Sequence, residues 1–289
     1  MRVVATPADY DELYTQWQGK TVALVPTMGA LHEGHMALIR HARQLADVAV
    51  VSIFVNPLQF GPTEDLSRYP RPLEQDLGIC RELGVDAVFT PSVDTLYPEG
   101  MANVTTVVPP ENLTERFCGE FRPGHFTGVA TVVLKLFNLL RPSVAVFGEK
   151  DAQQLMVIRK MTRDLHVPVT IVPYPTVREE SGLALSSRNR YLQTEAEQQA
   201  ARCLYRILNG IREQVQASEQ RLDAKTTLES ISRQVLGEVA HPDVTVRLQY
   251  LEAVDKNTFA PVQTLGPDSK ILIAAYVNQV RLIDNLDLG

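Results

Sequence analysis

The sequence predicts an α/β protein in which a doubly wound parallel sheet over residues 1–176 precedes a smaller α+β domain over residues 177–289. The first observation is an alternation of short β-branched runs with segments of helical periodicity, which continues to about residue 175. Such alternation is typical of parallel sheets whose right-handed crossover helices cover both faces. The second is a change of pattern after Pro173 and Pro175. The third is the length of 289 residues, enough for about two domains.

The elements of the first domain follow from these periodicities. The predicted strands are Thr21–Val25, Val48–Val55, Ala87–Phe89, Val144–Phe147 and Val169–Val172. The predicted helices are Met36–Leu45, Leu73–Leu83, Val129–Leu140 and Ala152–Asp164. Pro26 is expected to end the first strand because proline carries no N–H for a sheet hydrogen bond. Asn56 and Pro57 are expected to end the second.

The second domain is predicted to begin with two amphipathic helices. Thr194 and Glu197 have the spacing of a capping box, which marks the start of a helix. The apolar face of the first helix holds Leu204, Ile207, Leu208, Ile211 and Val215. That of the second helix holds Leu228, Ile231, Val235 and Val239, and the predicted strands Val244–Leu251 and Ile271–Val277 follow it.

Composition and charge limit the classes of partner. Hydrophobic residues make up 45 % of the chain and charged residues 21 %, values typical of globular proteins and not of disordered or fibrous ones. The 28 basic and 34 acidic residues give a net charge of −6, so no overall positive field attracts nucleic acid or anionic lipid. Apolar runs such as Val48–Val55 are far shorter than the roughly 20 residues that span a bilayer. We therefore expect no nucleic-acid partner and no membrane partner.

Cysteine usage and the first residues indicate a cytoplasmic protein. Cys80, Cys118 and Cys203 lie far apart and form no CxxC pair, so neither a disulfide framework nor a zinc knuckle is expected. The first 17 residues include Asp9 and Asp11 and lack the apolar region of a secretory signal.

The connection after the first predicted strand carries the most informative motif, Pro26-Thr-Met-Gly-Ala-Leu-His-Glu-Gly-His35. At this edge of a parallel sheet, free N–H groups of the following helix attract an anion. Gly29 and Gly34 allow close approach of the backbone, and His32 and His35 could donate to phosphate oxygens. Three alternatives remain: half of a zinc site, although a third ligand and the HExxH spacing are missing; glycines that only shape a turn; and ordinary surface histidines.

Three further segments place polar groups at predicted strand ends or at the domain boundary. Lys150 is suited to bind a phosphate, although a solvated helix start capped by Asp151 explains this lysine equally well. Gln154 is suited to bind a small polar substrate. Asn56 and Gln59 are amides in an apolar setting, typical of a small-molecule pocket or of a satisfied turn. Ser186, Ser187 and Arg188 fit a triphosphate, or form a serine-rich loop with a structural arginine.

Several common enzyme signatures are absent from the sequence. It contains no Gly-x-Ser-x-Gly elbow, no Walker A motif and no GxGxxG fingerprint. The sequence therefore gives little support to the hypotheses of a serine hydrolase, a P-loop kinase or a dinucleotide dehydrogenase.

Taken together, these segments resemble the pantothenate synthetase family of the nucleotidyltransferases, which share an HxGH signature with class I aminoacyl-tRNA synthetases. The matching segments are VPTMGALHEGH at 25–35, SIFVNPLQF at 52–60, RPGHFTGVATVVLKLFN at 122–138, FGEKDAQQ at 147–154, LALSSRNRYL at 183–192 and RLIDN at 281–285. The resemblance implies a Rossmann-like first domain of the HxGH type, which binds nucleotide and pantoate, and a second domain that acts as a lid.

The family's reaction is the ATP-dependent condensation of (R)-pantoate with β-alanine to pantothenate. The resemblance implies a pantoyl adenylate intermediate and release of AMP and pyrophosphate, with Mg²⁺ bound to the nucleotide phosphates. It also implies a homodimer.

The resemblance assigns roles to individual residues. The residues implied to bind ATP are Met28, Gly29, Ala30, Leu31, His32, Glu33, Gly34, His35, Gly148, Glu149, Lys150, Asp151, Val177, Leu185, Ser186, Ser187 and Arg188. Of these, His35, His32, Lys150 and Arg188 are the implied catalytic residues. Gln59 and Gln154 are implied to bind pantoate, with Gln59 also touching β-alanine, and Asp76 is a candidate for a metal-linked residue.

Three rival functions remain open on the sequence alone. One is a nucleotidyltransferase with another acceptor. Such an enzyme would keep the histidine signature but would not need the two glutamines Gln59 and Gln154. Another is a module that binds ATP without turnover, which gives no reason for the histidines, Lys150 and Arg188 to converge. A metal hydrolase comes last because no third ligand lies nearby.

Overall fold

The computed structural model describes residues 1–62 and 64–289. The chain divides into two compact units, the first formed by residues 1–149 and 153–175 and the second by residues 150–152 and 176–289. The first unit contains a parallel sheet and the second contains helices with antiparallel sheets. The predicted fold class is confirmed.

The first unit alternates strands and helices. Its strands are β1 (Arg2–Val4), β2 (Val22–Thr27), β3 (Val48–Ile53), β4 (Ala87–Phe89), β5 (Val144–Gly148) and β6 (Thr170–Tyr174). Its helices are α1 (Pro7–Thr15), α2 (Glu33–Leu45), α3 (Leu73–Glu82), α4 (Val93–Leu96), α5 (Glu111–Thr114), α6 (Cys118–Phe121), α7 (His125–Leu140) and α8 (Ala152–Asp164). Short 3₁₀ turns cover Pro57–Gln59 and Met101–Asn103, and a third, Glu149–Asp151, includes residues 150 and 151 of the second unit.

The sheet of the first unit has the strand order β1-β4-β3-β2-β5-β6, and the recorded pairings between neighbouring strands are all parallel. From β2 the chain proceeds to β3 and β4 on one side, and later to β5 and β6 on the other. The reversal between β2 and β5 creates a crevice at the carboxyl ends of these strands, where ligands bind in sheets of this kind.

Helices cover both faces of this sheet. Val25 of β2 belongs to an apolar cluster with Ile39 of α2 and Leu77 of α3. On β5, Phe147 contacts Phe137 of α7, with ring centroids 6.4 Å apart. Phe147 follows Val146, which points into the first cluster, so it lies on the opposite face.

The prediction that Pro26 ends the first strand is wrong. Strand β2 continues through Pro26 to Thr27, and both residues pair with β3. Val22 presents its carbonyl oxygen to Ser143 on the β5 side, and Pro26 lies on this same side because alternate residues share one edge. Pairing with β5 ends at Leu24, so the missing N–H of Pro26 leaves no ladder hydrogen bond unmade.

The alternation begins earlier than predicted, with β1 and α1. Strand β1 has three residues, too few to show a period, and it pairs only with β4. Helix α1 begins with a capping box of Thr6 and Asp9 and with Pro7 in its first turn. These are recognisable start signals.

The second unit is helical in its first half and antiparallel in its second. Its helices are α9 (Glu195–Ala201), α10 (Cys203–Ala217) and α11 (Ala224–Glu238), and a 3₁₀ turn covers Ser187–Tyr191. Its strands are β7 (Leu222–Asp223), β8 (Val246–Asp255), β9 (Thr264–Leu265), β10 (Ser269–Val277) and β11 (Val280–Asp287). The sheets have the orders β11-β10-β8 and β7-β9.

The core of the second unit follows the predicted helix faces. Leu204, Ile207, Leu208 and Ile211 of α10 are buried in one cluster with residues of β10. Thr194 caps α9 as predicted, but the helix is interrupted after Ala201. Strand β11 was not predicted because two buried polar residues of its RLIDN segment, described below, hide its apolar pattern.

Two further expectations concern cysteines and membrane segments. Cys80, Cys118 and Cys203 are buried thiols that form no disulfide, and burial raises the pKa of Cys80 and of Cys203 to about 12. Among the residues that the structure describes, no helix is both long enough and apolar enough to cross a bilayer.

Gly128 allows α7 to approach the 3₁₀ turn Pro57–Gln59 closely. A Cβ atom at Gly128 would lie 2.4 Å from the carbonyl oxygen of Leu58 and 2.7 Å from the nitrogen of Gln59. Both are backbone atoms, so neither can move aside without displacing the turn.

We expect Gly128→Ala to lower the free energy of unfolding by about 2 kcal/mol, because its methyl group overpacks this contact. The matched control is Gly78→Ala in α3, where a Cβ would meet no atom within 4 Å. There alanine should stabilise the helix by up to about 1 kcal/mol. Urea unfolding of both variants measures the difference, and equal effects would contradict the close approach of α7.

Candidate active site

The connection between β2 and α2 is held by a buried carboxylate. Asp76 of α3 is 1 % exposed, and its two oxygens accept hydrogen bonds from the N–H groups of Ala30 and Leu31, each at 2.8 Å. Gly29 has a φ of +78°, and a Cβ there would lie 2.9 Å from Asp76 Oδ2. Glycine is thus required both by the backbone conformation and by the approach of Asp76.

The two histidines of the motif lie side by side at the start of α2. His32 is the N-cap residue, its Nδ1 accepts from the N–H of Gly34 at 3.1 Å, and the ring centroids of His32 and His35 are 4.1 Å apart. His35 Nδ1 accepts a longer bond from the N–H of His32, at 3.4 Å. Since both Nδ1 atoms accept, a neutral ring at either position carries its proton on Nε2.

The backbone of Gln59, at the end of the turn that follows β3, is clamped by residues of the RPGHFTG segment. The Nδ1 atom of His125 lies 2.8 Å from the carbonyl oxygen of Gln59, and Arg122 donates to the same oxygen at 3.3 Å. Arg122 also forms a salt bridge with Glu64, at 2.6 Å. Because a carbonyl only accepts, His125 donates from Nδ1.

The side chain of Gln59 reaches the first connection. Its Nε2 atom lies 3.1 Å from the sulfur of Met28, and its Oε1 atom accepts from Asn56 at 3.2 Å. The structure therefore brings Met28, Gln59 and, through the same connection, both histidines to one edge of the sheet. Asn56 itself caps the turn by accepting from the N–H of Leu58, so the structural alternative holds for this amide.

Two adjacent glutamines follow β5 and behave differently. Gln153 is buried and bonds to the backbone of Leu113, Arg116 and Cys118, which makes it a structural residue. The side chain of Gln154 is half-buried and makes no hydrogen bond within the described part of the chain. Its amide groups are thus available to a ligand, as the predicted substrate role requires. Gly148 and Glu149 precede them at the carboxyl end of β5.

The remaining predicted nucleotide residues belong to the second unit. Leu185 donates its N–H to the carbonyl of Val177 at 3.0 Å, so these two residues lie together on a hairpin that turns at Gly182. The hydroxyl of Ser186 accepts from the N–H of Arg188 at 3.2 Å and caps the 3₁₀ turn. Ser186 therefore has a structural role, whether or not it also contacts a ligand.

Strand β11 anchors both this hairpin and Lys150. Arg178 of the hairpin donates to both oxygens of Asp284, at 2.5 and 2.9 Å. The neighbouring Asn285 donates to the carbonyl oxygen of Lys150 at 2.9 Å. Burial raises the pKa of Asp284, and the bonds from Arg178 oppose that rise. The RLIDN segment thus holds two predicted nucleotide-binding segments within the second unit.

Sequence reasoning missed the residues that orient others. Asp76 was predicted to be metal-linked, whereas its observed contacts hold the β2–α2 connection; the metal-linked role stays a prediction. The signals for the anchors were the matched segments RPGHFTG and RLIDN, to which no role was assigned. Among the described residues, no group of three His, Cys, Asp or Glu side chains is arranged to hold a metal ion.

Comparisons with known proteins identify the family of the chain. A family model described as pantoate-beta-alanine ligase matches residues 2–287. The chain is 50 % identical over 291 residues to a bifunctional pantoate ligase/cytidylate kinase of Synechococcus sp. (strain JA-2-3B'a(2-13)), covering 100 % of this chain and 52 % of that protein. The chain thus spans about half the length of the bifunctional relatives that it matches.

Two solved structures are similar over nearly their whole length. Pantothenate synthetase from Thermus thermophilus is 45 % identical, with a TM-score of 0.90 and coverage of 100 % of this chain and 99 % of that one. A pantoate-beta-alanine ligase from Francisella tularensis, complexed with beta-gamma ATP and beta-alanine, is 35 % identical, with a TM-score of 0.81 and coverage of 100 % and 98 %. The extent of the family match and the level of these identities show that the chain belongs to the pantoate-beta-alanine ligase family.

Proposed function

We propose that the protein condenses pantoate with β-alanine at the expense of ATP, through a pantoyl adenylate. The observation that carries the proposal is the contact of Gln59 with Met28, which joins a polar substrate-binding group to the connection that carries both histidines. The family membership and the ligands of the Francisella tularensis relative support it.

The proposed chemistry has two steps. A carboxylate oxygen of pantoate attacks the α-phosphorus of ATP, the bond from this phosphorus to the bridging oxygen breaks, and pyrophosphate leaves. The amine of β-alanine then attacks the acyl carbon, AMP leaves, and the amine loses a proton as the amide forms. Both nucleophiles come from substrates, so the protein orients them and stabilises charge.

Residues at the start of α2 are suited to the phosphates. The first turn of the helix offers N–H groups to an anion. His32 and His35 accept with Nδ1, so their Nε2–H groups can donate to phosphate oxygens. We assign ATP binding to Met28 through His35, and electrostatic catalysis or proton donation to His35 with His32.

The segment after β5 and the second unit supply the other proposed nucleotide contacts. Lys150 and Arg188, with Ser186 and Ser187, would stabilise the departing pyrophosphate. Gly148, Glu149, Asp151, Val177 and Leu185 complete the proposed nucleotide-binding set. Gln59 and Gln154 would bind pantoate, and Gln59 would also touch β-alanine.

Mg²⁺ is proposed to arrive with the nucleotide. The described residues offer no cluster of three ligands for an all-protein site, which agrees with an ion held mainly by phosphate oxygens and water. Such an ion would neutralise phosphate charge. The homodimer and the closing movement of the second domain are proposed on the family resemblance, and the cytoplasmic location is proposed on the cysteine usage.

The decisive experiment is isotope exchange between pyrophosphate and ATP, with Mg²⁺ and without β-alanine. Exchange that requires pantoate is the expected result, because adenylate formation is reversible. Exchange that is absent, in a folded protein that binds ATP, would contradict the proposal and favour a transferase with another acceptor or an ATP-binding module.

His35→Ala should lower the exchange rate about 100-fold, because one donor to the transition state is lost. The control is His41→Ala on the same helix, whose ring contacts Tyr174. The control should keep the wild-type rate. An unchanged rate in His35→Ala would remove His35 from the mechanism.

Gln154→Ala should raise the KM for pantoate about tenfold while the KM for ATP stays unchanged, since it removes about one hydrogen bond to pantoate. Gln153→Ala is the adjacent control, and it should lower the melting temperature because three backbone partners lose their bonds. Steady-state kinetics and thermal unfolding separate the two. A parallel rise of both KM values in Gln154→Ala would contradict the assigned role.

A further inference from the structure

A chain of buried hydrogen bonds leads from Tyr97 to the side chain of Gln59. The Tyr97 hydroxyl donates to Asn56 Oδ1 at 2.7 Å, and Asn56 Nδ2 donates to Gln59 Oε1 at 3.2 Å. Tyr97 is 2 % exposed and Asn56 is 1 % exposed. Neither residue was singled out as a partner of Gln59 by the sequence.

The direction of each bond in this chain is determined by its partners. The carbonyl of Gly128 can only accept, and it accepts from Asn56 Nδ2 at 3.1 Å, so Asn56 Oδ1 faces Tyr97. Burial raises the pKa of Tyr97, so the phenol remains a protonated donor. Gln59 must therefore present its oxygen to Asn56 and its NH₂ group in the opposite direction.

The NH₂ group of Gln59 is directed toward Met28, where its contact is a thioether sulfur at 3.1 Å. A thioether is a weak acceptor, so a hydroxyl or carboxylate oxygen of a substrate would form a stronger hydrogen bond in its place. A reversed amide would present an oxygen, which repels a carboxylate.

We propose that Tyr97 is a positioning residue for the first step: through Asn56 it holds the Gln59 amide with its NH₂ group toward an oxygen of pantoate. The inference rests on the proposed function, because it takes pantoate as the ligand of Gln59. Tyr97 itself does not touch the substrate. Its ring is packed near Phe54, with centroids 6.3 Å apart, and under the ammonium of Lys135 at 5.2 Å, so its hydroxyl has a defined place.

The test compares Tyr97→Phe with Tyr10→Phe. Tyr10 is fully buried in the same unit, and its hydroxyl donates to the carbonyl of Leu140 at 2.9 Å, so each variant removes one buried, bonded oxygen. Both should lose similar stability in thermal unfolding. Only Tyr97→Phe should raise the KM for pantoate in the exchange assay, by about three- to tenfold, with the KM for ATP unchanged.

A second measurement does not depend on catalysis. In ligand-free protein, the ¹⁵N–¹H signals of the Gln59 side-chain amide, identified by their loss in Gln59→Ala, should shift in Tyr97→Phe and stay in place in Tyr10→Phe. Unshifted signals in Tyr97→Phe would overturn the orientation by Tyr97.

The outcomes separate the two proposals. If the wild-type protein shows no pantoate-dependent exchange, the proposed function fails, and the link between Tyr97 and pantoate fails with it. If the wild-type protein exchanges normally and Tyr97→Phe keeps the wild-type KM for pantoate, or changes it no more than Tyr10→Phe, the proposed function stands and the inference is overturned.

Discussion

The buried carboxylate of Asp76 supports the connection on which the candidate site is built. An unpaired carboxylate at this depth would cost several kcal/mol, so its bonds to the N–H groups of Ala30 and Leu31 are strongly favoured. They hold the connection in a left-handed path that begins at Gly29. As a result, α2 starts after its N-cap residue His32 at the carboxyl end of β2, beside the place where the strand order reverses.

The second unit uses the same physical device in another setting. Asp284 and Asn285 lie on β11 and are buried, and each has a hydrogen-bond partner. Asp284 accepts from Arg178 of the hairpin, and Asn285 donates to the backbone carbonyl of Lys150. Buried polar groups have few acceptable partners, so they determine the position of a loop more narrowly than apolar contacts do. In both units, polar side chains of one element thus fix a neighbouring backbone segment.

Local patterns predicted most of the regular elements, and each failure has an identifiable physical cause. Strand β4 and helix α8 were predicted with their observed bounds, because β-branched runs and helical periodicity report burial directly. Strand β1 is too short to show a period. Strand β2 continues through Pro26 because its pairing with β5 on that side ends at Leu24, and the extent of this pairing cannot be read from the sequence of β2.

The sequence by itself determined the fold class, the alternation of strands and helices in the first domain, and the residue types at the ends of strands, because these depend on periodicity and local propensity. Only the tertiary structure decided which of the polar residues orient others. The backbone carbonyl of Gln59 is held by His125, and the side-chain partner of Gln59, Asn56, is held by Tyr97, each from a distant segment of the chain. Hydrogen bonds between distant segments leave no periodic pattern in the sequence, so only the folded structure shows them.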